Sequence, residues 1–395
     1  MPRYPFKSLW KRALAGCFDA IGRTLFFPLR SLQKPLDLAT VRRILVIRLD
    51  HIGDVVMSRP AIRALHKKFP HAAIDLLVTE DIAPLFVPSK EIRTVIAAKH
   101  GWFNRKASFA QKWSEFWRLA GILRAQEVHS PKTNTYDLGI DFRGDLRNIL
   151  LMRLAGVKYT IGYGIAGGGF LLSEEVPYDA AQHQVRLNLN LLNSFQIAQD
   201  TKLLPFEYSP KKAREFWKNT ETLPYTTLLP RIVIHMGSGY PSKRWLFENF
   251  KALIQEIDRK ALAQIVLIGT QAEKDATPDL KLNSVRFVDL RGKTALRDLP
   301  VLLDVCDIFI GNDSGPAHIA AAQGLEVILL ASGTNDIRLW HPWTEHLSFL
   351  QHKVPCSPCE LDICPVEGHP CVDEITVDQT FDAFLSVLGR LQKKS

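Results

Sequence analysis

Asp54 is the first residue whose type and position could do chemistry. It closes the loop Arg48-Leu49-Asp50-His51-Ile52-Gly53, which follows the apolar run Ile44–Ile47. A carboxylate there stands at the carboxyl end of a strand, where open α/β sheets bind ligands. An unperturbed Asp, with a pKa of about 3.9, is ionised at neutral pH and can accept a hydroxyl proton as a general base. Gly53 would let the loop turn tightly or approach a substrate closely. The same carboxylate could instead cap the helix that follows, and on the local sequence alone capping is the stronger reading.

A second constellation is Ile308-Phe309-Ile310-Gly311-Asn312-Asp313-Ser314-Gly315-Pro316-Ala317-His318. It runs from a buried strand straight into a helix, with Pro316 suited to the first turn and Gly324 to the stop. Asp313 and Ser314 are N-cap types, and with Gly315 they leave backbone N–H groups open to a phosphate. Gly-Pro after two polar residues is more than capping requires, so an anion site is favoured over a capped core helix. His318, one turn inside, reads as a packed, hydrogen-bonded histidine rather than a catalyst. Earlier in the chain, the loop Met236–Trp245 joins glycines to Lys243-Arg244. Two cations there would stabilise negative charge growing on a departing diphosphate. In Asp141–Arg147, Arg143 and Arg147 could grip acid groups of an acceptor or simply begin a solvated helix.

Three further motifs carry less. Gly162-Tyr163-Gly164-Ile165-Ala166-Gly167 spells a dinucleotide fingerprint, but Gly168-Gly169-Phe170 and Pro177 follow where a helix is required. It is read as a flexible loop on the acceptor side. Gly292-Lys293-Thr294 resembles the end of a phosphate-binding loop, yet Phe287 stands where its first glycine belongs. Cys356, Cys359, Cys364 and Cys371, with His369, have the ligand types for zinc. Their spacing is irregular, so reduced thiols packed in a loop are expected first, with zinc the weaker alternative.

The elements that must position these residues follow from periodicity. Residues 1–40 form a basic segment, with Phe6, Leu9, Trp10, Leu14, Phe18, Ile21 and Leu25 at helical spacing over 5–30. Such a helix can lie in a membrane interface or pack on its own protein, and periodicity fits both. Residues 41–205 then alternate strand and helix: strands at Ile44–Ile47, Ile74–Thr79 and Asp137–Asp141, helices at about Ser58–Phe69 and Leu146–Ala155. Residues 206–229, with Pro210 and Pro224, are read as a linker. Residues 230–376 repeat the alternation, and 377–395 form a C-terminal helix. Two doubly wound parallel sheets are expected.

The chain has 395 residues, 46% hydrophobic and 23% charged, which suits two globular domains. A formal net charge of +9 points to anionic partners. No compact basic motif with stacking aromatics supports nucleic acid. No apolar run approaches the roughly 20 residues of a spanning helix, and no clean secretory signal opens the chain, so a cytoplasmic protein is expected.

Four fragments stand in order at suitable spacing: Arg48-Leu49-Asp50-His51-Ile52-Gly53-Asp54-Val55-Val56, Ser242-Lys243-Arg244-Trp245, Leu267-Ile268-Gly269-Thr270-Gln271-Ala272-Glu273 and Gly311–His318. Together they resemble glycosyltransferase family 9, the ADP-heptose:lipopolysaccharide heptosyltransferases, over about residues 41–375. The resemblance implies an inverting enzyme of GT-B fold, two Rossmann-like domains facing across a cleft, without cofactor or catalytic metal. It implies Asp54 as general base, Lys243 on the donor diphosphate, Glu273 on the ribose and Asp313 on heptose hydroxyls. Ser314, Gly315 and His318 complete the donor side; Gly53, Arg143 and Arg147 are assigned to the acceptor side. The absence of any Asp-x-Asp in the sequence agrees with metal independence. The expected partners are ADP-heptose, a lipopolysaccharide-core or related glycan acceptor, and an anionic membrane surface on the cytoplasmic face of the inner membrane. Two departures concern the acceptor: the N-terminal extension and the Trp/Lys/Arg-rich segment 99–135, which reads as an insertion. Other nucleotide sugars or acceptors, a catalytically silent glycan-binding relative, and a paired-Rossmann oxidoreductase are the alternatives.

Overall fold

The computed structural model describes residues 8–31, 35–99, 108–125, 135–197, 200–220, 229–277, 280, 282 and 284–393. The chain divides into two compact units, Met1–Lys202 and Leu203–Ser395.

In the first unit the strands are β1 (Arg43–Ile47), β2 (Ala73–Thr79), β3 (Thr94–Ala98), β4 (Leu138–Asp141), β5 (Tyr159–Gly162) and β6 (Glu174–Glu175). They form one parallel sheet in the order β3-β2-β1-β4-β5-β6. The helices are α1 (Leu9–Ser31), α2 (Ile52–Lys68), α3 (Phe109–Ala125), α4 (Leu146–Leu154) and α5 (Gln184–Asn190). β1 is buried along its whole length, as a central strand covered on both faces must be. On one face Leu45 and Ile47 meet Phe116, Leu119 and Leu123 of α3 and Ile149 and Met152 of α4. Register fixes what lies beside what: Ile47 pairs with Asp141, and Asp141 with Gly162. The loops that leave β1, β4 and β5 therefore emerge side by side, at the point where strand order reverses.

The second unit repeats this plan. Its strands are β7 (Arg231–His235), β8 (Gln264–Ile268), β9 (Phe287–Asp289), β10 (Ile308–Asn312), β11 (Glu326–Leu330) and β12 (Leu347–Leu350). Their order, β12-β11-β10-β7-β8-β9, is the same doubly wound order read from the other edge. Its helices are α6 (Pro210–Asn219), α7 (Phe247–Arg259), α8 (Gln271–Asp275), α9 (Leu299–Leu303), α10 (Gly315–Gln323), α11 (Ile337–Trp340), α12 (Pro370–Asp373) and α13 (Val377–Gln392). Gly311 pairs with His235, and His235 with Ile268, so the loops after β7, β8 and β10 share one edge. The C-terminal helix α13 is part of this unit's core through Phe384 and Val387.

Three elements differ from their sequence reading. α2 opens at Ile52 rather than near Ser58, whose hydroxyl instead donates to the Val55 carbonyl inside the helix. The stretch 206–229 is not bare linker: Ser209 Oγ accepts the Lys212 N–H, Pro210 suits the first turn, Phe216 is buried, and α6 results. Within segment 99–135, the described part is α3, whose Phe116, Leu119 and Leu123 belong to the core, so it is a built-in element of the sheet's covering layer.

Candidate active site

In the first unit Asp54 occupies the first turn of α2 and is buried. The N-cap position is held by His51, which makes no side-chain capping bond. Asp54 is committed elsewhere: its Oδ1 accepts from Arg48 Nη2 at 3.1 Å. Arg48 is itself buried and donates through Nη1 to the Phe142 carbonyl at 2.6 Å. Asp50 lies 3.7 Å from Arg48 and 3.0 Å from Arg143 Nη1. Arg143 also donates to the Leu49 carbonyl, which ties the loop after β4 to the loop after β1. Two carboxylates and two guanidinium groups thus meet at the sheet's switch point.

Burial is the largest influence on Asp54 and pushes its carboxyl up to about 7, helped by the nearby Asp50 charge. Arg48 and Arg143 pull the other way and do not prevail. The sequence expectation of an ordinary, fully ionised Asp is therefore corrected. This group changes charge near neutrality, where a general base is most useful.

Beneath it, buried Asp141 shapes the second loop. It accepts the N–H groups of Arg143 and Asp145 and the Asn148 amide. Gly144 takes a left-handed φ of +75°, and a Cβ there would press on the Tyr163 carbonyl. Arg143 is consequently drawn into the Asp50–Asp54 group. Arg147 is not: it is exposed and paired with Asp145, the N-cap of its own helix. Gly53 is an ordinary helical residue beside Asp54, so the tight turn expected of it is not formed.

In the second unit Lys243 and Asp313, seventy residues apart, form a buried ion pair at 2.6 Å. Asn335 donates to the same Asp313 oxygen at 3.1 Å. The two cations expected together have separated. Lys243 is neutralised at the site, while exposed Arg244 braces the Ser238 carbonyl. Ser314 is the N-cap of α10, yet its hydroxyl makes no capping bond and lies 3.1 Å from His235 Nδ1. Gly315 follows as the first helical residue. The positive end of α10 is thus left without a side-chain cap, as an anion site requires.

His235 joins this group to Glu273, whose carboxylate lies 3.6 Å from Nε2. Glu273 also closes a capping box with Thr270 at the start of α8. Although burial would raise its pKa, the His235 ring and the Thr270 bonds hold the carboxyl at about 2. A Cβ at Gly237 would fall on this carboxylate, so any larger residue there would have to displace it. His318 is buried, and burial drops its pKa to about 4, which leaves it neutral. The expected hydrogen bond is not made at Nδ1, which is buried without a partner. His235, Asn312 and Asn335 escaped sequence reading. Asn312 latches Trp245 N–H and the Met236 carbonyl, holding the Lys243 loop against β10. The one signal for His235 was a polar residue ending an apolar strand.

The cysteine-rich loop braces Ser242, next to Lys243, through two backbone carbonyls and one side chain. Leu361 and Asp362 carbonyls accept from Ser242, and His369 Nε2 donates to the Ser242 carbonyl at 2.9 Å. Among the described residues no three His, Cys, Asp or Glu side chains are placed to hold a metal ion. Cys356 is exposed and Cys371 buried, and burial, with Cys364, Cys359 and Cys356 nearby, pushes the Cys371 thiol up.

Residues 126–369 match the family model described as glycosyltransferase family 9 (heptosyltransferase). Lipopolysaccharide heptosyltransferase 3 of Escherichia coli is 27% identical over 314 residues, 75% of this chain and 84% of that protein. A glycosyl transferase family 9 structure from Veillonella parvula superposes with a TM-score of 0.71 at 21% identity, covering 88% of this chain and 97% of that one. The structure of E. coli ADP-heptose lps heptosyltransferase II gives a TM-score of 0.69 at 20% identity, covering 89% and 100%. The likeness to these structures shows a GT-B fold.

Proposed function

The chain belongs to glycosyltransferase family 9, and on that footing we propose that it moves a heptose from ADP-heptose to a hydroxyl of a lipopolysaccharide-core glycan, with inversion. The observation that carries this reading is the state of Asp54, buried against Arg48 and poised at about 7. The acceptor oxygen attacks the anomeric carbon as the bond to the ADP oxygen breaks. Its proton passes to Asp54, and the electron pair of the broken bond leaves with ADP. Attack from the face opposite the leaving group inverts the anomeric centre. Arg143, joined to Asp50, lies where an acidic group of the acceptor could be met.

On the donor side the leaving diphosphate is received by Lys243 and by the uncapped start of α10 at Ser314 and Gly315. Lys243 reaches the phosphates while Asp313 fixes its ammonium group. Both bonds to Asp313 land on one oxygen, Oδ2, which supports use of the other for a sugar hydroxyl. Glu273, held ionised beside His235, suits a ribose hydroxyl. With no Asp-x-Asp in the sequence, the cation and helix dipole are assigned the work that a metal-diphosphate clamp does elsewhere.

Calorimetry with ADP-heptose beside UDP- and GDP-sugars, on wild type and Lys243→Ala, tests the donor. Selective ADP-heptose binding that weakens in the variant is expected; preference for another nucleotide sugar would overturn the heptose assignment. Asp54→Asn should bind the donor as wild type does and lose transfer by roughly 10²–10⁴-fold. Full transfer by that variant would remove Asp54 from the mechanism.

A further inference from the structure

The N-terminal helix has two faces with different employment. Its inner face is docked on the first unit. Asp19, the lone acid among the first 31 residues, is buried and accepts the Gly168 N–H at 2.7 Å. Arg23 pairs with Glu175. Phe170 lies between Phe18 and Phe26, against Gly22. The opposite face carries Trp10, Leu14, Ile21 and Leu25, spaced so that they fall in one stripe along the helix. Leu14 is 60% exposed, Ile21 61% and Leu25 68%. Docking to the protein accounts for the first face and leaves the second in water.

We propose that α1 lies in the surface of an anionic phospholipid bilayer, with this stripe among the acyl chains, while its Asp19–Arg23 face stays locked to the first unit. Three observations choose lipid over another occupant. Residues 1–31 carry six Lys and Arg against Asp19 alone, and Asp19 and Arg23 are both taken up in bonds to the protein. A basic helix with an aromatic and Leu/Ile stripe is built for the headgroup boundary. Among the described residues no helix is long and apolar enough to cross a membrane, so the helix rests in the interface instead of spanning. A second helix of the same unit also exposes aromatic rings. α1 packs on the turn Gly169–Leu171, that turn on α4, and α4 on α3. α3 leaves Phe109, Trp113 and Trp117 exposed in a row of ring contacts. Aromatic rings of this kind settle at the headgroup level.

The attachment has a consequence for the reaction. The loop that α1 grips, residues 164–170, follows β5 and touches Gly144, since Ala166 N–H donates to the Gly144 carbonyl. Arg143 is the next residue back, joined to Asp50. A membrane-seated α1 therefore holds the Asp54 loop system at a fixed remove from the lipid surface. That the acceptor is carried by a lipid rests on the function proposed above; the docking itself does not.

Co-sedimentation of the full chain with phosphatidylglycerol-containing vesicles, beside all-phosphatidylcholine vesicles, tests the docking. Wild type should pellet with the anionic vesicles, and less so as salt is raised. Leu14→Glu with Ile21→Glu should lower the bound fraction by roughly tenfold or more. Leu14→Gln with Ile21→Gln should act in the same direction, which separates lost apolar contact from added negative charge. Unchanged thermal melting and ADP-heptose binding in both variants would place the effect in the helix face. The proposal is overturned if wild type stays in the supernatant, if the variants bind as wild type does, or if the stripe instead mediates a dimer seen by sedimentation without lipid. Vesicle binding by a wild type that ignores ADP-heptose would leave this inference standing and sink the transferase reading.

Discussion

Arg48 and Asp54 face one another at 3.1 Å at the opening of α2, both withdrawn from water. The contact is an ion pair only when Asp54 is ionised, and burial opposes that. A carboxyl lifted from about 4 to about 7 holds its proton more tightly in the folded chain than in the unfolded one. Between these values folding takes up a proton, so the stabilisation is complete below about pH 4 and is lost as pH rises through 7. Catalysis runs the opposite way, because only the ionised form accepts a proton. The expected result is a kcat/KM profile with an ascending limb near pH 7, while the melting temperature declines over the same window. A rate that is flat from pH 5 to 8 would show that Asp54 is not titrating in the mechanism.

Arg48 acts through Asp54 and is a positioning residue. It is among the charges that restrain the rise of the Asp54 pKa. Arg48→Met should therefore move the ascending limb to higher pH and cut transfer at pH 7 by roughly tenfold per unit of movement. Arg48→Lys should restore part of the shift, since it returns charge without the fork that also reaches the Phe142 carbonyl. A variant that merely destabilised the chain would lower the rate at every pH and leave the limb in place. The measurement is the pH profile at saturating donor.

What could be read from the sequence was local. Ile44–Ile47 and Ile308–Ile310 announced buried strands by β-branching, and Pro316 with Gly324 bracketed a helix. The start of α2 could not be read, because His51 makes no capping bond and the turn opens on Ile52-Gly53. The capping box of Thr270 and Glu273 was not read, a structural task that Glu273 performs alongside any contact with ribose. The Lys243–Asp313 pair was out of reach for a different reason. Its partners are seventy residues apart, and their meeting depends on β7 and β10 being neighbours in the sheet. The same holds for Asp19 and Gly168, whose bond turns an amphipathic segment into a docked helix.

The buried Lys243–Asp313 pair separates stability from binding. Lys243→Ala removes one charge and leaves Asp313 buried beside Asn335, at a cost of about 3–5 kcal/mol in unfolding free energy. Lys243→Met combined with Asp313→Leu removes both charges and should recover most of that loss. Donor binding should recover in neither variant if Lys243 receives the diphosphate. Urea unfolding and calorimetry on the same samples make the comparison. A double variant that regains ADP-heptose affinity would reduce the pair to a structural role.

His369 tests whether the cysteine-rich loop holds the donor side in place. Its Nε2 donates to the Ser242 carbonyl, immediately before Lys243, and the Leu361 and Asp362 carbonyls grip Ser242 from the same loop. His369→Ala removes one of these three ties, a hydrogen bond worth about 1 kcal/mol. If the tie only sets the position of Lys243, donor KM should rise by roughly threefold to tenfold while kcat at saturation changes less. His369→Gln, which keeps a donor on a shorter reach, should recover part of the affinity. His369 also occupies a left-handed φ of +39°, so Ala there adds backbone strain that Gln shares. Rescue by Gln would therefore isolate the hydrogen bond from the strain, and equal loss in both variants would assign the effect to the backbone of the loop.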